Sequence, residues 1–145
     1  MGLVIFDLDG TLTPQRAAST AAFERRLCDG VRERCRELLA AGHTLAVASN
    51  QGGIPKGLPA EAVEAHLGWV CGELGVAAVR YAWEPERKKP RPAMLAELMG
   101  QFGVDPSETW MIGDSPDDES AAVAAGARFV HVAAFVAGGL PERGV

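Results

Sequence analysis

The fold of this chain is decided near its start by the stretch Val4-Ile5-Phe6-Asp7-Leu8-Asp9-Gly10-Thr11. Its apolar, β-branched first half predicts a buried strand that ends in two acids separated by one residue. Because side chains alternate along a strand, Asp7 and Asp9 point the same way if the strand geometry continues past Asp7. Two carboxylates on one side repel each other, so the pair indicates a bound cation or a catalytic role. A turn at Asp9-Gly10, with Asp7 as a cap, is the structural alternative.

The composition predicts a single globular domain over residues 1–145. Hydrophobic residues make up 48% and charged residues 23% of the chain, which is ordinary for a protein with a packed core. A net charge of -5 gives no broad basic surface, so extensive binding along a nucleic acid is not expected. The three cysteines are odd in number and lack C-x-x-C spacing, which argues against a disulfide framework and a four-ligand zinc site.

The sequence also predicts a cytoplasmic protein without a membrane partner. No apolar run approaches the roughly 20 residues of a membrane-spanning helix. The acids at Asp7 and Asp9 interrupt the N-terminal apolar stretch, and no basic segment precedes it, so it does not resemble a signal peptide.

Strands alternate with helices along the chain, which predicts an α/β fold with a mostly parallel sheet and right-handed crossovers. Residues Leu12 to Arg25 are expected to form a loop or flap, and the tail from Ala133 to Val145 to be irregular. After the first strand, further strands are predicted at Thr44–Ser49, Val76–Trp83, Thr109–Ile112 and Arg128–Val132, and helices at Val31–Ala41, Pro59–Leu74, Pro92–Phe102 and from Ser115 to a stop at Gly126.

Chemically useful residues follow the predicted strands, and strand ends of a parallel sheet share one edge where ligands bind. Carboxylates follow the first and fourth strands and offer the hard oxygen ligands that Mg²⁺ prefers. A hydroxyl and backbone N–H groups at Ser49-Asn50 follow the second strand and suit a phosphoryl group. The basic run Arg87–Arg91 follows the third strand.

Each of these features has a structural alternative. Ser115 and Asp118 fit a helix capping box, which Pro116 strengthens. Ser49 alone could be a turn residue, and a charge run such as Lys88-Lys89 is usually a solvated loop. Their joint placement at the strand ends favours a functional site.

Four motifs in the right order resemble those of the haloacid dehalogenase (HAD) superfamily. They are Asp7-Leu8-Asp9-Gly10-Thr11, Ser49-Asn50-Gln51, Lys89-Pro90-x-Pro92 and Gly113-Asp114-Ser115-x-x-Asp118. The second and third resemble the subgroup that contains histidinol-phosphate phosphatase, heptose bisphosphate phosphatase and polynucleotide 3′-phosphatases. The resemblance implies a Rossmann-like three-layer sandwich with a five-stranded sheet, and a phosphatase that uses Mg²⁺.

The resemblance also implies a role for each motif residue. Asp7 would be the nucleophile that forms an aspartyl-phosphate, and Asp9 the general acid and base. Lys89, rather than Lys88, would bind the transferring group. The implied phosphate-binding residues besides Lys89 are Leu8, Thr11, Ser49 and Asn50, and the implied metal-binding residues are Asp7, Asp9, Asp114 and Asp118.

The chain departs from that subgroup in two ways. The heptose phosphatase branch usually carries a zinc loop of Cys and His before its lysine motif, whereas residues 81–87 contain neither. The segments where the superfamily inserts a cap are short, which predicts an uncapped, open site and permits an oligomer that closes it. The predicted substrate is a small phosphorylated metabolite such as a sugar phosphate, histidinol phosphate or nucleotide, with a polynucleotide 3′-phosphate as the alternative.

Aromatic and basic residues around the third strand could form a rim that stacks a base or grips a second phosphate; they are Arg80, Tyr81, Trp83, Arg87, Lys88 and Arg91. The favoured alternative is that Tyr81 and Trp83 pack inward. Trp69 and Trp110 are expected in the core, and the three histidines share no spacing.

Other protein classes fit less well. A calcium loop beginning at Asp7 would close on Ala18 instead of Glu. A phospho-accepting receiver domain shares the sheet, an aspartyl-phosphate and Mg²⁺, but places its paired acids after the first strand and its phosphorylated Asp after a later one. An inactive scaffold ranks lower, because all the expected catalytic residue types are present.

Overall fold

The computed structural model describes residues 2–138 and residue 140, and its centre is a five-stranded parallel sheet. The strand order is β3-β2-β1-β4-β5, and all four neighbouring pairs are parallel. This confirms the predicted Rossmann-like α/β fold. The strands are β1 (Leu3–Phe6), β2 (Thr44–Asn50), β3 (Ala78–Ala82), β4 (Thr109–Gly113) and β5 (Arg128–His131).

Helices connect the strands and cover both faces of the sheet. Short 3₁₀ turns lie at Ile54–Lys56 and Pro106–Glu108. The four predicted helices begin and end within about two residues of their expected bounds. The helices are α1 (Val31–Ala40), α2 (Ala60–Leu74), α3 (Ala93–Phe102), α4 (Pro116–Ala125) and α5 (Val132–Gly138).

Two hydrophobic layers, one on each face of the sheet, hold the sandwich together. Side chains of β1 alternate between them, with Val4 and Phe6 facing α1, α2 and α5, and Leu3 and Ile5 facing α3 and α4. All four are fully buried, so the central strand has no polar face. A strand buried on both faces gives the continuous apolar run seen in the sequence.

The register of the sheet sets the position of the acids. Phe6 of β1 pairs with Ile112 of β4, and the backbone N–H of Asp7 donates to the Ile112 carbonyl at 2.9 Å. Both strands therefore end at the same level. As a result, Asp7 lies beside the turn that begins at Gly113.

The prediction of an irregular tail is wrong for its first part, because Val132–Gly138 forms α5. Phe135 is fully buried, and its ring meets that of Phe6 edge-to-face at 5.4 Å. Burial of this ring stabilises the short helix against the sheet. This tertiary contact outweighs the helix-breaking Gly138-Gly139 in the sequence. Residues 139 and 141–145 lie outside the described part of the chain.

The connection between β1 and α1 follows the prediction of a loop, because residues 14–29 contain no helix or strand. β3 is shorter than predicted, and Val132 belongs to α5 and not to β5. None of the helices in the described residues is long and apolar enough to span a bilayer.

Candidate active site

The ends of β1 and β4 bring three of the predicted acids together. One carboxylate oxygen from each of Asp7, Asp114 and Asp118 lies within 4.8 Å of the other two. Asp7 follows β1 directly, Asp114 follows β4, and Asp118 lies in the first turn of α4. Hard oxygen ligands at this spacing fit a divalent cation such as Mg²⁺ or Ca²⁺ better than a transition metal.

Two glycines make this close approach possible. Gly10 has a φ of 81°, and a Cβ there would clash with the carboxylate of Asp114. A Cβ at Gly113 would clash with the carboxylate of Asp118. Both motif glycines are therefore required by the space that the acids occupy, and Gly10 also by its backbone conformation.

Lys89 provides the positive charge among these acids. Its Nζ donates to Asp7 Oδ1 at 2.9 Å and to Asp118 Oδ1 at 2.7 Å, and its side chain is 2% exposed. Burial acts to lower the pKa of Lys89, but the two carboxylates outweigh it and the pKa is raised. The structure places Lys89 at the site and leaves Lys88 exposed. The solvated-loop alternative therefore holds for Lys88 alone.

One ammonium group shared by two carboxylates leaves Asp7 short of positive charge. Burial raises the pKa of the Asp7 carboxyl to about 7, and the nearby Asp118 adds to this effect while Lys89 opposes it. A hydrogen bond from the Leu8 backbone also opposes it. A divalent cation beside Asp7 would supply the missing positive charge and favour the ionised carboxylate.

Asn50 fixes the backbone of Lys89. Its Oδ1 accepts from the Lys89 N–H at 2.8 Å, and its Nδ2 donates to the Lys89 carbonyl at 2.9 Å. This pair of bonds joins the end of β2 to the loop that follows β3. The side chain of Asn50 lines the cavity, as expected of a residue near the phosphate, and it also holds the Lys89 backbone in place.

Asp118 forms the predicted capping box and also contacts the residues at the strand ends. Its backbone N–H donates to Ser115 Oγ, and its Oδ2 accepts from the backbone N–H of Ser115, which together make a capping box on α4. Oδ2 also accepts from the backbone N–H of Asp114 at 3.1 Å. Because Oδ1 binds Lys89, this one carboxylate links the cap of α4 to the site.

Asp9 lies in a second network, on the side of the site towards β2. Arg16 donates from Nε to Asp9 Oδ1 and from Nη2 to Asp9 Oδ2, both at 3.1 Å. Gln51 Nε2 donates to Asp9 Oδ2 at 3.2 Å and to Ser49 Oγ at 2.8 Å. Sequence reasoning missed the roles of Arg16 and Gln51. Gln51 was visible as part of a motif, whereas Arg16 stands in a loop without a pattern.

The remaining predicted residues are buried around these networks. Thr11 is 1% exposed, and its Oγ1 lies 3.5 Å from Asp114 Oδ1. The side chain of Leu8 is in the core, so only its backbone can face a ligand. Ser49 is 1% exposed and is held through Gln51.

An open cavity of about 440 Å³ covers the acids. One wall is the loop at residues 15–19, and another is the start of α4 with Asp117. Lys89 and Arg16 are the cations among the described residues that line it. Asp7, Asp9, Asp114 and Asp118 line it as well.

The aromatic and basic residues considered as a possible rim do not line this cavity. Tyr81 donates to Glu64 at 3.1 Å, and Arg80 and Arg87 both bind Glu97. Trp83 is 36% exposed, so inward packing does not describe it. Trp110 is buried as expected, and the three histidines lie away from the cavity lining.

This sheet, with acids at the ends of two adjacent central strands and a buried lysine between them, defines a class of hydrolase. The sequence profile described as "Hydrolase: haloacid dehalogenase-like hydrolase" matches residues 15–126. The chain belongs to this family. The predicted superfamily and the predicted enzyme class, a HAD-type phosphatase, are confirmed.

Two of the similar proteins within this family are heptose bisphosphate phosphatases. D-glycero-β-D-manno-heptose-1,7-bisphosphate 7-phosphatase of Pseudomonas putida is 31% identical over 144 residues, covering 91% of this chain and 82% of that protein. The enzyme of the same name from Yersinia pestis is 26% identical over 140 residues, covering 84% and 74%.

A solved structure is similar over almost the whole chain. D,D-heptose 1,7-bisphosphate phosphatase from B. bronchiseptica, complexed with magnesium and phosphate, has a TM-score of 0.80 at 25% identity. The similarity covers 99% of this chain and 90% of that chain.

The bonds of Asn50 generate a prediction about stability. Asn50→Asp keeps the acceptor for the Lys89 N–H but replaces the donor with an oxygen that faces the Lys89 carbonyl. We expect the free energy of unfolding to fall by about 1–3 kcal/mol, because a hydrogen bond is lost and an acceptor is left unpaired. Urea denaturation measures it.

Gln101→Glu is the matched control, since it makes the same amide-to-acid change at an exposed residue that accepts from Arg80. It should change the stability by less than about 0.5 kcal/mol. Equal stability of the Asn50→Asp protein and the wild type would show that Asn50 does not hold Lys89.

Proposed function

We propose that this chain is a Mg²⁺-dependent phosphomonoesterase that works through an aspartyl-phosphate on Asp7. The observation that carries the proposal is the position of Asp7 on the cavity wall, with Oδ1 at 2.9 Å from a buried ammonium and two further acids beside it. Such a carboxylate can attack a phosphorus atom while the surrounding positive charge binds the phosphoryl oxygens.

In the first step, a carboxylate oxygen of Asp7 forms a bond to phosphorus and the bond from phosphorus to the leaving oxygen breaks. The leaving oxygen takes the electron pair of that bond and a proton from Asp9. The alcohol then departs, and the phosphoryl group remains on Asp7. Asp9 also lines the cavity, which allows its carboxyl group to reach a leaving group there.

In the second step, water attacks the phosphorus of the aspartyl-phosphate and Asp9 accepts its proton. The bond from phosphorus to the Asp7 oxygen breaks, which releases inorganic phosphate and restores the Asp7 carboxylate. Asp9 ends the cycle protonated, ready for the next leaving group. One residue thus acts in turn as acid and base, which general acid–base chemistry permits when both steps occur at one face.

The charged groups have separate roles. The carboxylates of Asp7 and Asp114 and the backbone carbonyl of Asp9 would hold Mg²⁺, supported by Asp118, and the ion would supply positive charge against the phosphoryl oxygens. Lys89, whose Nζ lies 2.9 Å from Asp7 Oδ1, would bind the transferring group.

Asp118 supports the site from behind, because both of its oxygens already accept hydrogen bonds. The B. bronchiseptica enzyme is described as complexed with magnesium and phosphate, which supports the choice of Mg²⁺ as the cation here.

The phosphate-binding groups we propose are the Ser49 hydroxyl and backbone N–H groups of the turn after β1, at Leu8 and Thr11. Asn50 contributes through Lys89, whose backbone it holds. Because the Leu8 side chain is buried in the core, only its main chain can take part.

For the substrate, we propose a sugar phosphate. The support is the set of heptose bisphosphate phosphatases among the relatives, of which the P. putida enzyme is 31% identical over most of this chain. The cavity of about 440 Å³ is large enough for a small molecule such as a sugar phosphate, since small-molecule pockets typically measure roughly 300–1,000 Å³. Net charge and cavity lining do not favour a polynucleotide end.

Asp7→Asn tests the nucleophile. The amide should abolish turnover of sugar phosphates with Mg²⁺, because it removes the attacking oxygen charge, and Asp9→Asn should lower kcat by about 10²–10⁴-fold. Phosphate release measures both. EDTA should stop the wild-type enzyme, and excess Mg²⁺ should restore it. Asp29→Asn, an exposed acid outside the cavity, is the control and should keep wild-type kcat.

A substrate panel tests the substrate class. We expect D-glycero-β-D-manno-heptose 1,7-bisphosphate or another sugar phosphate to exceed histidinol phosphate, a nucleoside monophosphate and a 3′-phosphorylated oligonucleotide in kcat/KM by about tenfold or more. A higher kcat/KM for the oligonucleotide would replace the sugar with the polynucleotide 3′-phosphatase alternative.

A further inference from the structure

Every N–H group of the Arg16 guanidinium donates a hydrogen bond within the chain. Besides its two bonds to Asp9, its Nη2 donates to Gln51 Oε1 at 2.9 Å. Its Nη1 donates to the carbonyls of Ser19 at 2.9 Å and Ala21 at 3.0 Å. A guanidinium has five N–H donors, so these five bonds occupy all of them. The side chain is 9% exposed.

A stack of aromatic rings lies against one face of the Arg16 guanidinium. It lies 4.1 Å from the centre of the Phe23 ring, and Phe23 stacks on His66 of α2 with centroids 4.4 Å apart. His66 in turn stacks on Trp69 at 5.9 Å. Burial lowers the pKa of His66, which favours the neutral ring. Arg16 is thus linked to α2 through the Phe23 ring, although it lies in an irregular loop.

We propose that Arg16 is a positioning residue that holds the Asp9 carboxylate in place for proton transfer to the leaving group. This inference rests on the proposed role of Asp9 as general acid. Asp9 Oδ2 accepts two hydrogen bonds, from Arg16 and Gln51, and Oδ1 accepts one. Each carboxylate oxygen can accept two, so Oδ1 retains the position that can carry the transferred proton.

The geometry favours this role over direct binding of substrate. A guanidinium that binds a phosphate needs free N–H groups, and those of Arg16 are bonded to Asp9, Gln51 and two carbonyls. A lysine could not reproduce the arrangement, because its ammonium lacks the planar fork that binds both carboxylate oxygens.

The same contacts link the cavity wall to the acid. Residues 15–19 line the cavity, and the bonds of Arg16 to Ser19 and Ala21 fold this part of the loop around the guanidinium. The connections where the superfamily inserts a cap are short in this chain. The loop held by Arg16 therefore forms a fixed wall of the cavity next to the leaving group. Loss of Arg16 should free the loop and Asp9 together.

The test compares leaving groups that differ in their need for a proton. A simple alkyl phosphate requires protonation of its leaving oxygen, whereas 2,4-dinitrophenyl phosphate releases a stable phenolate without it. The value of kcat/KM covers the steps up to cleavage of the first phosphorus–oxygen bond, so it isolates the acid step. A purely structural or binding role would lower kcat/KM for both substrates equally.

We expect Arg16→Met to lower kcat/KM for the alkyl phosphate by about 10²-fold, the effect of a catalytic group displaced by about 1 Å, and for the dinitrophenyl ester by about threefold or less. Arg16→Lys should show the same selectivity with a smaller loss, and serves if the Met variant does not fold. Arg34→Met is the matched control, because Arg34 also lies over a phenylalanine ring and donates to a backbone carbonyl, at Phe135.

Asp9→Asn is measured beside these variants, and it separates the role of Arg16 from the role of Asp9. If Asp9→Asn loses alkyl phosphate activity selectively but both Arg16 variants lose none, or lose both substrates equally, the positioning role is wrong and the acid assignment stands. If Asp9→Asn itself shows no selectivity, the acid assignment fails and the role of Arg16 fails with it. A selective loss in the Arg34→Met protein would also contradict the proposal.

Discussion

A single buried ammonium group determines how this site is built. Lys89 Nζ bonds to Asp7 and Asp118 at once, and the side chains of Lys89 and Asp118 are 2% and 1% exposed. Burying charges is costly, and such a cluster is stable only when its geometry and hydrogen bonds are nearly complete. The second oxygen of Asp118 meets this requirement through two backbone N–H groups at the start of α4, and Asn50 does so by fixing the Lys89 backbone. Because one cation faces more than one anion, the site is left prepared for a further positive charge, which is the electrostatic reason to expect a metal ion there.

The site is divided into two networks with different tasks. The network around Lys89 joins Asp7, Asp114 and Asp118 at the ends of β1 and β4, where a phosphoryl group and a cation would meet. The network around Arg16 and Gln51 joins Asp9 to the loop at residues 15–19 and, through Ser49, to β2. Asp7 and Asp9 belong to different networks although they are two residues apart. In the mechanism we propose, this separation would allow Asp7 to attack while Asp9 is held for proton transfer.

The sequence predicted the parts of the structure that depend on local pattern. The apolar run of β1 and the alternation of strands and helices were sufficient to predict the parallel sheet. The placement of Asp7, Lys89 and Asp114 after the first, third and fourth strands was sufficient to predict that they line one cavity. Three features were not predictable because they depend on tertiary contacts. Phe135 helps to hold α5 by packing on Phe6, and Arg16 makes its contacts from a loop whose path no periodicity describes. Asn50 turns its side chain to a backbone that is 39 residues away. The rim that Tyr81, Arg80 and Arg87 could have formed is absent for the same reason, since glutamates of α2 and α3 bind these side chains.

The central claim is that Asp7 carries the phosphoryl group, and the most direct measurement is to trap it. The Asp9→Asn protein is mixed with Mg²⁺ and 2,4-dinitrophenyl phosphate. This ester needs no acid for the first step, but the variant lacks the base for the second. The aspartyl-phosphate should therefore accumulate. After acid quenching and proteolysis, mass spectrometry should find one added phosphoryl group on the peptide that contains Asp7. A phosphoryl group on another residue would contradict this role of Asp7. So would hydrolysis of the ester by the Asp9→Asn protein at the wild-type rate with no labelled peptide.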